Sequence, residues 1–501
     1  MRATMLALPV LLPLFGAGLS LLVPHRAAVR ALSGVVLTVV LADALALLVL
    51  ADRDGPQAVH MGGWPAPLGI TLVADRLSAL LLSVSALVSL AVLGFAVGQG
   101  TAERRRRTAR VFHPAYLVLV AGVGLAYLSG DLFNLFVAFE TMLAASYVLI
   151  TLDADRDRTR AGMTYTIVSL TSSLLFITLI ALVYAATGTV TLAQLGPRLA
   201  ELDDGLSGAL ALLTLTVLGI KTALVPLHFW LPDSYPTAPA PITAVFAALL
   251  TKVGVYAVLR TETLLFPRDG SWPLLAWVAI ATLLTGILGA LAQDDLNRLL
   301  SFTLVSHIGF MLFGLALFDV RGLTGTILYV VHHIVAQAAL FLVADLMVRR
   351  SDTASLSRMA GRPTPGALVA VLFALPAMSL AGIPPFSGFV AKLALLEAGA
   401  DDGGAVSYAL LGAAVLTSAL TLYAMTRVWT AGFMKPPRPE RGPSVRTRGA
   451  WLMLVSAAGV TAAGLVITVG AGPLARLAER AAHDLLRPQA YRSVVLGEGE
   501  R

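Results

Sequence analysis

The feature that most constrains this chain is a succession of apolar stretches, each about as long as a lipid bilayer is thick. The hydrocarbon core is ~30 Å thick, a distance that ~20 helical residues span. AVILMFWYC residues make up 57% of the 501 residues, DEKR residues only 13%, and mean hydropathy is +0.83. A soluble domain carries about 25% charged residues. The sequence therefore predicts an all-α polytopic membrane protein with about fourteen transmembrane helices, at 3–23, 28–51, 72–98, 111–129, 131–152, 162–187, 206–230, 240–260, 272–292, 298–318, 323–348, 366–397, 404–434 and 449–471.

Several classes of function are excluded or lack support. The chain has no cysteine, which excludes disulfides, thiolate-held iron–sulfur clusters and a cysteine nucleophile. It carries no phosphate-binding P-loop, dinucleotide fingerprint or zincin motif. The net charge of +7 comes from basic residues in short loops between apolar spans, where membrane topology explains them better than nucleic-acid binding does. We therefore expect a protein that is not an enzyme and has no cofactor, resident metal or nucleic-acid partner.

The distribution of basic residues predicts how the chain is oriented in the membrane. With fourteen spans, twenty Lys and Arg residues fall on one side and six on the other, the C-terminal tail being left aside. Cytoplasmic loops carry the excess of positive charge, so we expect a multi-pass cell-membrane protein with both termini outside. The basic residues of the richer side are Arg26, Arg30, Arg104, Arg105, Arg106, Arg107, Arg110, Arg156, Arg158, Arg160, Arg298, Arg349, Arg350, Arg358, Arg362, Lys435, Arg438, Arg441, Arg446 and Arg448.

Lysine is rare and occurs in unusual places. Of 36 basic residues only four are lysine, and three of these, Lys221, Lys252 and Lys392, lie inside apolar spans. A charge there costs at least ~2.5–3.5 kcal/mol on insertion scales, so it needs a partner, a wet cavity or a function. A buried lysine can lose its proton, whereas an arginine in the same place stays charged. The choice of lysine indicates a cation that can be neutralised.

Other titratable side chains lie at similar depth in neighbouring spans. Glu140 is near the centre of 131–152, and His307, His332 and His333 are central in theirs. Together with the three lysines they predict a polar row in the membrane plane. Adjacent helical residues point about 100° apart, so we expect only one of His332 and His333 to face the row. A structural ion pair remains the alternative reading of any single member.

Prolines interrupt two spans. Pro226 follows Lys221 by five residues in span seven, and Pro384 and Pro385 precede Lys392 in span twelve. Proline removes a backbone donor and clashes with the preceding turn, so both helices should break. Paired broken helices are typical of transporters built from inverted repeats. This predicts helices 1–3 in 1–110, five-helix repeats in 111–260 and 272–434, and helix 14 with an amphipathic tail, which we expect to lie on the surface, in 449–501.

Three long motifs resemble a known family. They read GDLFNLFVAFETMLAASYVLI (Gly130–Ile150), FWLPDSYPTAPAPITAVFAALLTKVGVYAVLR (Phe229–Arg260) and LAGIPPFSGFVAKLALLEAG (Leu380–Gly399). The chain resembles the antiporter-like membrane subunits of respiratory complex I, and among these it is most similar to those of the Mrp multisubunit antiporters. The resemblance places the family's functional residues at Glu140, Lys221, Lys252, His333 and Lys392. This chain departs from the family's frequent H-x-x-x-K-A in helix eleven, because it has Gln337 in place of the lysine.

The resemblance implies a subunit of a multisubunit monovalent cation/proton antiporter. Protons would move along Glu140, Lys221, Lys252, the His332/His333 region and Lys392, with His307 as a further member of the row. Other membrane subunits would be partners, and the exchanged ion is expected to be Na⁺, with K⁺ and Li⁺ left open. Two alternatives stay open: a proton-pumping subunit of a complex I-like NADH:quinone oxidoreductase or membrane hydrogenase, and a structural scaffold without a transport path of its own.

Overall fold

The computed structural model describes residues 2–101, 106–152, 156–268, 270–362, 364–434 and 449–497. The basic residues Arg104, Arg105, Lys435, Arg438, Arg441, Arg446 and Arg448 lie outside these ranges. Helices dominate the described residues. They are α1 (Arg2–Leu22), α2 (Arg26–Asp54), α3 (Arg76–Gln99), α4 (Arg106–Leu128), α5 (Leu132–Ile150), α6 (Arg156–Thr187), α7 (Leu192–Ala200), α8 (Asp204–Thr222), α9 (Trp230–Ser234), α10 (Ala240–Val245), α11 (Thr251–Leu265), α12 (Pro273–Leu291), α13 (Leu296–Leu317), α14 (Val320–Ser351), α15 (Leu356–Met359), α16 (Ala367–Ala381), α17 (Ser387–Asp402), α18 (Ala405–Trp429), α19 (Ala450–Val469), α20 (Ala471–Leu486) and α21 (Gln489–Leu496).

The all-α membrane fold predicted from the apolar stretches is confirmed. In the described part of the chain, thirteen helical segments are long and apolar enough to cross a membrane. The remaining predicted span, 366–397, is divided between α16 and α17, neither of which meets that length. In span seven the continuous helix α8 ends at Thr222, before Pro226.

Three helices form the core of the bundle. The segment Ala240–Leu265, α13 and α14 are buried along almost their whole length. The outer helices, such as α1, α6 and α19, turn large apolar side chains outward, as a lipid-facing helix must. α14 contacts α3, α13, α16, α17, α19 and α20, so its side chains meet protein on every side.

A short hairpin precedes α3 and corrects one predicted boundary. Strands β1 (Gln57–His60) and β2 (Thr71–Ala74) pair antiparallel, with Gln57 opposite Ala74. The prediction that a helix begins at residue 72 is therefore wrong. Asp75 caps α3 instead, since its carboxylate accepts the Ser78 N–H and the Ser78 hydroxyl accepts the Asp75 N–H. The apolar sequence TLVA carries no periodicity that separates a strand from the first turn of a helix.

Two matching backbone bridges occur 164 residues apart. Asp131, before α5, pairs antiparallel with Thr191, and Asp295, before α13, pairs in the same way with Ser355. In each case the bridge joins the start of one helix to the loop after the next long helix, and a short helix, α7 or α15, follows. Ser355 and Ser357 also donate to Asp294, and these hydrogen bonds lower the pKa of its carboxyl.

The C-terminal segment packs onto the helix bundle. The alanine-rich face of α20 (Ala478, Ala481 and Ala482) is buried, and α20 contacts α14, α3 and α11. Its Asp484 accepts from Arg76 at 2.6 Å, while burial raises the pKa of Asp484 and the Arg76 guanidinium opposes that shift. The amphipathic pattern of the tail thus fits a helix whose apolar face meets other helices of the chain.

The α13–α14 contact depends on glycine. A Cβ added to Gly314 would overlap the backbone carbonyl of Gly322. We expect Gly314→Ala to destabilise the fold by about 1–3 kcal/mol, the usual cost of overpacking, and to lower the melting temperature of the solubilised protein. Gly412→Ala is the matched control, because a Cβ at Gly412 meets nothing within 4 Å. Equal melting temperatures for the two variants would contradict close α13–α14 packing.

Candidate functional site

The first polar cluster joins α5, α6 and α8. Glu140 lies in the middle of α5, and Lys221 is the second-last residue of α8. The Lys221 Nζ is 3.8 Å from the Glu140 Oε1, and the two side chains are 8% and 31% exposed. Ser173 of α6 lies between them: its hydroxyl donates to Glu140 and accepts from Lys221 at 2.9 Å. The predicted pair is therefore joined through a hydroxyl group.

The break in span seven positions Lys221 at a helix end. Ala223 adopts a left-handed conformation (φ 66°), and the Leu224 N–H donates to the Gly219 carbonyl. The chain re-enters a helix at Trp230, whose indole N–H donates to the Ile220 carbonyl at 3.0 Å. Carbonyls released by the break are thus satisfied within the protein, as the membrane interior requires.

Lys252 is held by the backbone of its own span. It is fully buried, and its Nζ donates to the Ala247 carbonyl at 2.6 Å and to the Thr251 hydroxyl at 3.3 Å. Residues Phe246–Leu250 form a π-helical turn, which displaces carbonyls from the regular ladder. Among the described residues, Lys252 has no carboxylate within salt-bridge distance.

Two histidines and a tyrosine meet between α13 and α14. The Tyr329 hydroxyl lies 2.7 Å from the His307 Nδ1, and the His307 Nε2 lies 3.2 Å from the Thr421 hydroxyl. The rings of His307 and His333 are 5.4 Å apart between centroids. All three aromatic side chains are buried. His307 lies at the centre of this cluster, since it contacts Tyr329, His333 and Thr421.

Lys392 of α17 lies next to the second helix break, which separates α16 from α17. Helix α16 ends at Ala381 and is capped by Gly382 (φ 88°), and the Lys392 Nζ donates to the carbonyls of Leu380 and Ala381 at 3.0 and 3.1 Å. Glycine is needed at 382 because of its positive φ, and because a Cβ there would lie 2.8 Å from the Lys392 Cδ. The ammonium also lies 4.6 Å from the centre of the Phe310 ring, a cation–π contact.

His332 and His333 are both buried and face different neighbours, and the expectation that only one of them faces the row stays a prediction. The His332 Nδ1 lies 3.0 Å from the Ser387 hydroxyl, and Ser379 is a second neighbour at 3.4 Å. The His333 side chain faces α13, where its ring contacts the ring of His307. Because α14 packs against other helices on all sides, two adjacent residues that point about 100° apart each contact a different neighbour.

Gln337 takes a structural position one turn beyond His333. Its side-chain amide donates to the Leu300 carbonyl at 2.9 Å, which joins α14 to α13. It is fully buried and uncharged. A proton relay through this part of the row therefore has to use histidine, hydroxyl groups or water.

Two small cavities adjoin the row. One, of about 30 Å³, is lined by Lys221, Ser169 and Tyr165 among others, and one of about 20 Å³ is lined by His332, Ser379 and Ser387. Each exceeds the ~10–15 Å³ that a water molecule needs and has polar groups to bind it. Water can therefore bridge side chains at these two points.

Sequence reasoning missed the hydroxyl-bearing members of the site. Tyr329 lies four residues before His333, so the i, i+4 spacing on one helix face could have indicated it. Ser173 gave no such signal, because serine is common in these helices and its spacing does not say which neighbour it meets.

These features define a polytopic membrane protein with a buried row of titratable side chains and two interrupted helices. Residues 129–421 match the family described as NADH:quinone oxidoreductase/Mrp antiporter, TM. That match covers more than half of the chain, which therefore belongs to this family.

Whole-length relatives agree with this assignment. The chain is 36% identical to the Na⁺/H⁺ antiporter D subunit of Alkalihalophilus pseudofirmus, with 98% of this chain and 99% of the relative covered. It is 34% identical to the protein of the same name in Bacillus subtilis, with the same coverage. A chain in the solved Mrp complex of Dietzia sp. DQ12-45-1b superposes with a TM-score of 0.92 at 34% identity, and 99% of each chain is covered.

Proposed function

We propose that this chain is a subunit of a multisubunit monovalent cation/proton antiporter, with Na⁺ as the exchanged ion, and that it carries a proton path. Relatives with antiporter names match it over nearly their whole length, and its structural neighbour belongs to a multisubunit complex. The partners are accordingly other membrane subunits. The observation that carries the proton path is the row of titratable groups, buried except for the half-buried Glu140, that extends from Glu140 to Lys392.

The row follows a series of packed helices. α6 packs against both α5 and α8, α8 packs against α11, and the π-helical turn before α11 packs against α14. α14 in turn contacts α13 and α17. Titratable side chains, hydroxyls and the two cavities lie along this series. This arrangement supports proton movement parallel to the membrane plane, in short steps between groups that exchange protons.

The Glu140–Lys221 pair is proposed to control the first step. A carboxylate close to an ammonium stabilises the protonated lysine, and separation in a dry site favours proton release. The proton then passes toward Lys252, the histidine cluster and Lys392. Membrane voltage contributes ~2.3 kcal/mol per charge for each 100 mV that the charge crosses.

The inverted repeat is part of the proposal. The two backbone bridges, at Asp131 and Asp295, occupy the same place in units 111–260 and 272–434. Under the proposed orientation, with both termini outside, the first bridge lies on the outer side and the second on the cytoplasmic side. The two breaks also correspond, because the helix before each break is capped by a residue of positive φ, Ala223 after α8 and Gly382 after α16. These correspondences support two five-helix repeats of opposite orientation.

Removal of either charge of the first pair tests the function. We expect Glu140→Gln and Lys221→Ala to abolish cation-dependent proton flux, since each variant lacks one of the two charges that form the ion pair. Flux is measured in everted vesicles that carry the whole complex, with Na⁺, K⁺ and Li⁺ added in turn. Glu397→Gln, an exposed carboxylate outside the row, is the control.

Assembly must be measured on the same membranes. Loss of flux with normal assembly supports the transport path. Normal flux in both variants would reject it, and loss of assembly in both would favour a scaffold whose charges are contacts.

The Tyr329 hydroxyl offers a milder test. Tyr329→Phe keeps the ring that contacts His307 and His333 but removes the hydrogen bond to the His307 Nδ1. We expect proton flux to fall by roughly tenfold or more, because a positioned proton donor contributes on the order of 10²-fold. Tyr116→Phe is the matched control: its buried hydroxyl donates to the Ser89 carbonyl, away from the row. An equal effect of both substitutions would contradict a specific role of Tyr329.

A further inference from the structure

Ser173 occupies a position that the pairing of Glu140 with Lys221 does not explain. The two charged groups are 3.8 Å apart, beyond hydrogen-bond distance. The Ser173 hydroxyl fills the gap, since it accepts from the Lys221 Nζ at 2.9 Å and donates to the Glu140 Oε1. A hydroxyl can accept and donate at the same time. The three groups therefore form a continuous hydrogen-bonded chain from ammonium to carboxylate.

The single hydroxyl hydrogen of Ser173 has two acceptors within reach. One is the Glu140 carboxylate, and the other is the Ser169 carbonyl one turn earlier on α6, at 3.0 Å. The side chain is buried, which keeps bulk water from competing for these bonds. Rotation about the Cβ–Oγ bond exchanges the two acceptors without moving a helix. In the first orientation the hydrogen-bonded chain is complete, and in the second it is interrupted.

We propose that Ser173 is a proton-relay residue between Lys221 and Glu140. The Lys221 N–H bond breaks as that proton bonds to the Ser173 oxygen, and the original Ser173 hydrogen passes to the Glu140 carboxylate. The products are a neutral amine, an unchanged serine hydroxyl and a carboxylic acid, so the net charge of the three groups stays zero. No co-reactant is needed, and the same two transfers in reverse return the proton from Glu140 to Lys221, from which it passes toward Lys252. Rotation of the hydroxyl to Ser169 stops the transfer and gives the pair an open and a closed state.

This inference rests on the proposed function, because it specifies how the first pair moves its proton. It differs from a direct ion pair in one respect. A direct pair needs only the two charges, whereas the relay needs an oxygen that bears a hydrogen at position 173.

Substitutions at 173 separate the two possibilities. Ser173→Ala removes the hydroxyl, while Ser173→Thr and Ser173→Val have nearly the same shape and differ in the hydroxyl. We expect the Ser173→Ala and Ser173→Val variants to have a cation-dependent proton flux lower by on the order of 10²-fold. This is the lower end of what a positioned proton donor contributes. Thr should keep most of the flux. Ser172→Ala is the matched control, because Ser172 is buried on the same helix and donates to the Val217 carbonyl at 3.3 Å, without touching the pair.

Flux is measured in everted vesicles with the whole complex, normalised to assembled complex, and repeated over a range of pH and in D₂O. Loss of the hydroxyl should change the pH profile and reduce the solvent isotope effect, which a packing defect would not do. Equal flux for the Thr and Val variants would overturn the relay even if both are slower than the unmodified complex. Normal flux in Ser173→Ala beside an inactive Lys221→Ala would overturn the relay alone, whereas normal flux in both would overturn the proposed function as well.

Discussion

A lysine ammonium inside a membrane needs oxygen atoms that accept its hydrogen bonds, and in this protein interrupted helices supply most of them. Lys392 binds the last carbonyls of α16, and Lys252 binds a carbonyl of the π-helical turn. Lys221 sits at the end of α8, next to a serine. A carbonyl or hydroxyl oxygen accepts from an ammonium but, unlike a carboxylate, leaves no unpaired anion when the amine becomes neutral. These sites can therefore hold either form of lysine at a moderate cost.

Lys221 alone of the three has a carboxylate as its neighbour within 4 Å, among the residues that the structure describes. The two ends of the row therefore differ in the kind of group that lies next to the lysine. At the Glu140 end, the charge state of the lysine is coupled to a second titratable group, and at the Lys392 end it is coupled to backbone carbonyls and the Phe310 ring. In the proposed proton path this difference would give the row a direction, since protonation or deprotonation of Lys221 changes the charge nearest to the following groups.

Much of the fold could be predicted from the sequence, because bilayer thickness fixes how long an apolar helix must be. The prolines at 226 and 384–385 also mark where the helices are interrupted. The hairpin that ends at Ala74 could not be predicted, since four apolar residues fit a strand as well as a helix turn. Part of the site could not be predicted from the sequence for a similar reason. Charged residues in a membrane are rare and conspicuous, whereas Ser173 looks like any helical serine until its neighbours on α5 and α8 are known.

The central claim is that the buried lysines exchange protons, and the small number of lysines makes a direct measurement practical. The chain contains only Lys221, Lys252, Lys392 and Lys435. Lysine labelled with ¹⁵N at Nζ can be followed by NMR in the assembled complex, each signal being assigned by its loss in a single Lys→Arg variant. The account predicts that at least one of the three buried groups changes between ammonium and neutral amine across the pH range in which the complex transports. If all three remain ammonium throughout that range, the account is contradicted.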